Sequence, residues 1–222
     1  MRLVSYLIVS LTFYLCACET YKAVDNVPIL AASSQVSNDL RIEKVNTIRK
    51  KLKETYSARQ IEDAINRIAS KMNEKFKNDN PIVVCVLKGS VPFTGQLLTK
   101  LSFNAEFDCL RVSSYSGEGQ RQELKWSLKP SANCVGRSVI LVDDCIDSGI
   151  TLATIAKFYK ALGAKEVYTV VLVDKIGVRH PKGLPHTDFV GFSVPGDAFL
   201  IGFGLDYEGY LRNLPAIYSV KN

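Results

Sequence analysis

Apolar positions along the middle of the chain follow two rhythms. Ile61, Ile65, Ile68, Met72 and Phe76 recur at steps of four, three, four and four, which is one stripe of an amphipathic helix. Ser57 with Gln60 three residues on gives that helix a capping-box start, and Asn78-Asp79-Asn80-Pro81 ends it. The other rhythm is nearly unbroken: residues 82–87, 138–142 and 166–173 are short β-branched runs, as expected of strands buried on both faces. Helices are predicted between them at 91–101, with Pro92 in the first turn, and at 151–162, closed by Gly163. Residues 107–112 read as a further strand. Residues 188–194 and 199–203, parted by Pro195-Gly196, read as edge strands or as part of a small subdomain with the N-terminal helix. Strand, helix, strand with apolar strands predicts an α/β fold, a parallel twisted sheet flanked by helices. From 113 to 134 no period is evident, and Gly117 and Gly119 among mixed charges predict a long loop.

The flanks divide the chain into 1–18, 19–40 and 41–222. Residues 1–18 carry one charge, Arg2, ahead of an apolar run, which resembles a secretory signal. Leu15-Cys16-Ala17-Cys18 is close to a lipoprotein processing box. Export or anchoring, a helix serving the fold, and sequence added by a misplaced start codon are the three readings. Residues 19–40 are polar and patternless and read as a linker.

Composition then narrows the classes. With 222 residues, 47% hydrophobic and 23% charged, the chain is not disordered, collagenous or a polytopic membrane protein. Six scattered cysteines without a CxxC pair, and only two histidines, argue against a disulfide scaffold or a structural zinc site. The net charge of +6 is matched by the surplus in 41–77, where eleven Lys/Arg face five Asp/Glu. Its two aromatics, Tyr56 and Phe76, do not interleave with the basic residues as base stacking needs, so the segment reads as a solvated helix face rather than a nucleic-acid surface.

Chemistry concentrates in Val139-Ile140-Leu141-Val142-Asp143-Asp144-Cys145-Ile146-Asp147-Ser148-Gly149-Ile150-Thr151. Ligands of open parallel sheets bind beyond the carboxyl ends of the strands. Here a strand ends in two carboxylates, a third follows, and a Ser-Gly turn opens a helix whose N-terminal N–H groups favour an anion. Such a loop suits a phosphate monoester, with the Ser148 and Thr151 hydroxyls as further donors. The paired acids are poor phosphate ligands and must address sugar hydroxyls, a metal or both. A sugar phosphate with vicinal hydroxyls fits.

This segment resembles the 5-phosphoribosyl 1-pyrophosphate (PRPP) signature of type I phosphoribosyltransferases. Four further stretches resemble the hypoxanthine-guanine phosphoribosyltransferases within that fold. They are Val86-Leu87-Lys88-Gly89-Ser90-Val91-Pro92-Phe93; Ser114-Tyr115; Leu172-Val173-Asp174-Lys175; and Phe199-Leu200-Ile201-Gly202-Phe203-Gly204-Leu205-Asp206-Tyr207 with Arg212-Asn213-Leu214-Pro215. They span about residues 40–220 in family order.

The resemblance implies the type I fold with a small hood subdomain from the N- and C-terminal parts, and a purine-salvage transferase that makes IMP or GMP from PRPP and hypoxanthine or guanine, with xanthine left open. Asp143 and Asp144 would bind the ribose hydroxyls. Asp147, Ser148, Gly149, Ile150 and Thr151 would cradle the 5-phosphate. Asp147 would also serve as general base or acid at purine N7. Lys175 would donate to the 6-oxo group, Phe199 would stack on the base, and the Leu200 backbone would read its edge. Lys88, Gly89 and Arg212 would hold pyrophosphate, Asp206 would ligate Mg2+, and Ser114 and Tyr115 would open a mobile loop. The resemblance further implies a homodimer or homotetramer in the cytoplasm, with no nucleic-acid partner and a membrane only if 1–18 acts as a signal or anchor. Ile150, Ile176 and Ala198 depart from residues common in the family. The plain alternatives are a surface lysine at Lys88, a core phenylalanine at Phe199, a rim ion pair at Arg212 and a loop aromatic at Tyr115. A second functional class is a non-catalytic regulator of the same fold that senses PRPP or nucleotides.

Overall fold

The computed structural model describes residues 35–115 and 123–220. Its elements are α1 (Gln35–Lys50), β1 (Leu52–Tyr56), α2 (Ala58–Phe76), β2 (Ile82–Val86), α3 (Val91–Leu98), β3 (Glu106–Tyr115) and β4 (Glu123–Leu128), then β5 (Ser138–Ile146), α4 (Ile150–Ala161), β6 (Glu166–Ile176), β7 (Phe189–Pro195), β8 (Leu200–Ile201) and β9 (Ile217–Val220). Packing divides the chain into Met1–Asn46 and Thr47–Asn222. Of the first unit, only helical residues of α1 are described. The signal-like segment 1–18 lies outside the described residues. Of the stretch read as a linker, residues 35–40 are helical. Among the described residues no helix is long and apolar enough to cross a membrane.

In the second unit six strands lie in the order β4-β3-β2-β5-β6-β7. The five from β3 to β7 are mutually parallel, and β4 runs antiparallel to β3. Alternation across the pleat sorts the apolar runs onto two faces. Val83, Ile140, Val142, Val170 and Leu172 join a core completed by Ile61, Ile65, Ile68, Met72 and Phe76 of α2. Ile82, Val84, Leu141 and Val171 face Leu152, Ile155 and Tyr159 of α4. All five stripe residues of α2 are at most 2% exposed, and each such burial stabilises by about 1.5–3 kcal/mol. The capping box is formed as expected, with the Ser57 side chain accepting from the Gln60 backbone and the Gln60 side chain from that of Ser57.

Three expectations are corrected. The stretch 113–134 is not loop throughout: β3 continues to Tyr115, so Ser114 and Tyr115 are strand residues paired with Leu124 and Glu123. Leu124, Trp126 and Leu128 alternate in the manner of an edge strand, and Trp126 packs on Phe158 at 4.6 Å between ring centroids. The helix expected at 91–101 stops at Leu98. The strand expected at 199–203 shrinks to Leu200–Ile201, which joins β1 and β9 in a separate three-stranded sheet. That sheet unites N- and C-terminal segments, as expected of the hood. The strand near 188–194 is instead an edge of the main sheet.

Candidate active site

Strand order locates the site before any side chain is considered. From β2 the chain steps to β3 on one side, and later runs β5, β6, β7 on the other. The reversal leaves a crevice at the carboxyl ends of β2 and β5, where ligands of open α/β sheets bind. The loop after β2 carries Lys88 and Gly89, and the tip of β5 carries the three acids.

These two loops touch. A Cβ on Gly89 would lie 1.9 Å from Asp144 Oδ2, so any side chain there would push the Asp144 carboxylate out of this position. The C-terminal segment approaches equally closely, since a Cβ on Gly204 would lie 1.9 Å from the Gly89 carbonyl oxygen. Arg212 donates to the Gly204 carbonyl and pairs with Asp206 at 2.6 Å. The second Asp206 oxygen accepts from the Gly209 N–H at 2.6 Å. Lys88 is exposed at the crevice, and the Leu87–Lys88 peptide is cis.

Strand β5 continues through its acids to Ile146 because its pairing with β6 persists, ending at Ile146 opposite Asp174. The residue that follows on each strand is therefore brought alongside its counterpart, and Lys175 Nζ lies 2.9 Å from Asp147 Oδ1. Asp147 is 60% exposed and Lys175 16%, so the cation is fixed and the carboxylate faces the crevice. Beyond Asp147 the chain turns at Gly149, which caps α4 with φ 74°. Any side chain there would be strained by that φ and would also meet the Leu184 backbone at 2.7 Å. Ser148, Gly149 and Thr151 line a cavity of about 210 Å³ over the start of α4, floored by Asp143 and Cys145.

The electrostatics follow from crowding. Burial, then the adjacent Asp144 charge, pushes the Asp143 carboxyl well above its ordinary range, against one opposing bond from the Asp144 N–H at 2.9 Å. A sugar hydroxyl can donate to such a group when it is ionised or accept from it when protonated. Burial, followed by the Asp147 charge, raises the Cys145 thiol to about 12, with Lys175 opposing. At neutral pH Cys145 is a thiol and not a nucleophile.

Phe199 is 53% exposed and meets Tyr207 edge-on at 6.3 Å, so it is not a core residue. Leu200 beside it is buried. Contacts therefore run in sequence from Lys175 and Asp147, and from Asp144 through Gly89 and Gly204 to Arg212 and Asp206. Ser114 and Tyr115 belong to a strand that ends on the same edge of the sheet as β2. A further residue, Arg179, donates to the carbonyls of Ile146, Asp147 and Lys175. Nothing in the sequence marks it: it is a lone arginine in a glycine- and proline-containing connection.

For metal binding, no group of three or more His, Cys, Asp or Glu side chains converges among the described residues. Asp206 is a single, one-third exposed carboxylate beside an arginine. A magnesium ion commonly takes one or two carboxylates and completes its shell with phosphate oxygens and water, so Asp206 would serve it by exchanging the Arg212 or Gly209 partner.

Residues 52–208 match the phosphoribosyl transferase domain family. The hypoxanthine-guanine phosphoribosyltransferase of Mycoplasma genitalium is 37% identical over 160 residues, 71% of this chain and 89% of that protein. The Bacillus subtilis protein of the same name is 34% identical over 166 residues, 74% of this chain and 91% of that one. A crystal structure of a hypoxanthine phosphoribosyltransferase from Staphylococcus aureus aligns with TM-score 0.73 at 25% identity, covering 79% of this chain and 95% of that one.

Proposed function

Since the chain belongs to the phosphoribosyltransferase family, we propose that it is a purine-salvage transferase that moves the 5-phosphoribosyl group of PRPP to hypoxanthine or guanine, forming IMP or GMP and pyrophosphate. The observation that carries the choice of base is the 2.9 Å Lys175–Asp147 pair. A 6-oxopurine presents, side by side, a carbonyl acceptor and an N7 proton, which complements a fixed ammonium next to a carboxylate. Adenine would set an amino donor against the lysine. The relatives are named as transferases, so nothing favours the regulator reading.

The chain's own groups divide the work. Asp143 and Asp144 hold the ribose hydroxyls, and the N–H groups and hydroxyls of residues 147–151 hold the 5-phosphate at the positive end of α4. Bond breaking at the ribose C1 runs ahead of bond making, so positive charge grows on the sugar while negative charge grows on the leaving group. Arg212, Lys88 and the Gly89 backbone receive that negative charge, and loss of one such partner typically costs ~3 kcal/mol of barrier. Asp147 takes the N7 proton as the base is joined, while Phe199 covers the ring and the Leu200 backbone reads its edge. Asp206 would hold Mg2+, whose charge would offset that of the leaving group. To Ser114 and Tyr115, on the strand beside β2, we assign the exclusion of water from the reacting carbon. We place the enzyme in the cytoplasm, where PRPP is made, as a homodimer or homotetramer.

Pyrophosphate release from PRPP and Mg2+ with each purine tests the reading. Turnover is expected with hypoxanthine and guanine and not with adenine; no turnover with any 6-oxopurine overturns it.

A further inference from the structure

Beyond the groups that would touch substrate, one side chain ties the two halves of the site together. Arg179 lies in the β6–β7 connection, only 18% exposed. One terminal nitrogen donates to the carbonyls of Ile146 (3.1 Å) and Lys175 (3.0 Å) and to that of Asp147. The other pairs with Asp174, whose second oxygen lies 3.4 Å from Thr187 Oγ1. Nε is buried without a partner among the described residues, so the terminal nitrogens alone hold the group in place.

The location explains why a guanidinium stands here. Ladder bonding between β5 and β6 ends at Ile146 and Asp174. There the carbonyls of Ile146, Asp147 and Lys175, from the ends of two strands, converge on one guanidinium nitrogen, while β6 stays paired with β7 as far as Ile176. A planar, always charged group meets these carbonyls with one terminal nitrogen and the Asp174 carboxylate with the other, two fixed directions that a single ammonium does not span. The same connection backs the phosphate loop: the His180 N–H donates to the Ser148 carbonyl and the Leu184 N–H to the Gly149 carbonyl, each at 3.0 Å.

We infer that Arg179 is a positioning residue that sets the spacing of Asp147 and Lys175, and through it the alignment of the purine with the ribose held by the phosphate loop. This rests on the purine-contact roles proposed above for those two residues. Because residues 180 and 184 brace Ser148 and Gly149 through their own backbone, losing the arginine disturbs the base site more than the phosphate site.

The test compares wild type, Arg179→Ala and Arg179→Lys. For Arg179→Ala, kcat/KM for hypoxanthine falls about a hundredfold, the scale of a misplacement near 1 Å. The ratio of hypoxanthine to adenine use falls with it, while KM for PRPP moves less than about threefold, on the same reasoning. Millimolar guanidinium restores part of the rate, urea does not, and Arg179→Lys is intermediate. Hydrogen exchange speeds up in 146–147 and 174–176 of the alanine variant, less in 148–151, and not in α2 or β2. Unchanged kinetics and exchange overturn the inference. So does a uniform rise in exchange across the domain with an unchanged purine ratio, since that marks a merely structural arginine. Should the wild-type protein show no turnover, the functional reading falls by itself, and localised or unlocalised exchange still decides whether Arg179 holds the two strand ends.

Discussion

The two ends of the central sheet carry comparable acids and use them in opposite ways. At the amino ends, each carboxylate is matched to donors of the fold. Asp79 accepts from Ser138 Oγ at 2.6 Å, Asp188 from the Thr169 N–H and hydroxyl at 2.8 and 3.0 Å, and Glu106 pairs with Arg137. Around the carboxyl ends, Asp143 and Asp144 are adjacent and crowd each other, while Asp147 and, from the C-terminal segment, Asp206 are paired with cations that stand in a crevice. Asp174 alone among these is tied into the fold, by Arg179. A carboxylate satisfied by backbone N–H groups stabilises the fold. One held against a like charge, or against a cation that a ligand can claim, keeps its bonding capacity for substrate. The difference is one of partner, not of residue type.

Breaking the carboxyl end should cost activity most. Asp147→Asn keeps the shape but cannot take the N7 proton, so kcat should drop by about 10²–10⁴-fold while PRPP still binds, read by pyrophosphate release and by calorimetry. Full activity would remove Asp147 from its role. Next is Gly149→Ala: a left-handed φ costs a side chain about 1–2 kcal/mol, and the contact with the Leu184 backbone adds to it. Urea unfolding should report that loss, together with a raised KM for PRPP. At the opposite end, Asp188→Ala strands the N–H of buried Thr169, so stability should fall by about 1–3 kcal/mol with kcat/KM unchanged. An altered kcat/KM would undo the contrast between the two ends.

The gentlest probe is pH. Because the folded state raises the pKa of Asp143, ionisation of that group disfavours folding. Below the unfolded carboxyl range both states are protonated and Asp143→Asn changes nothing through this group. As pH rises through that range toward the folded pKa, the wild type loses stability relative to the variant, and above it the difference levels off. Thermal unfolding of the two proteins from acid to neutral pH measures it; curves that stay parallel would refute the assignment.

Legibility in the sequence followed the number of neighbours a residue needs. Helix α2 was readable down to its capping box because Ser57, Gln60 and the Ile61-to-Phe76 stripe specify it within one segment. The three apolar strands and the loop 143–151 were readable for the same reason. Strand β4 was missed although Leu124, Trp126 and Leu128 alternate, since charged neighbours and a nearby glycine-containing stretch hide a short edge strand. The extent of β5 was also missed: polar residues at a strand tip look like loop until a partner such as β6 continues the ladder beside them.

The sequence by itself determined the helix–strand alternation of the central sheet, the α/β class, the candidate anion cradle at Ser148-Gly149 and the family resemblance, because each rests on local periodicity, turn chemistry or an ordered string of residues. Tertiary structure alone decided that β5 and β6 share a register that sets Asp147 beside Lys175, that Gly89 meets Asp144 and Gly204, and that Arg179 serves the strand ends. Those relations join residues distant along the chain, and only packing and hydrogen bonding between elements fix such distances.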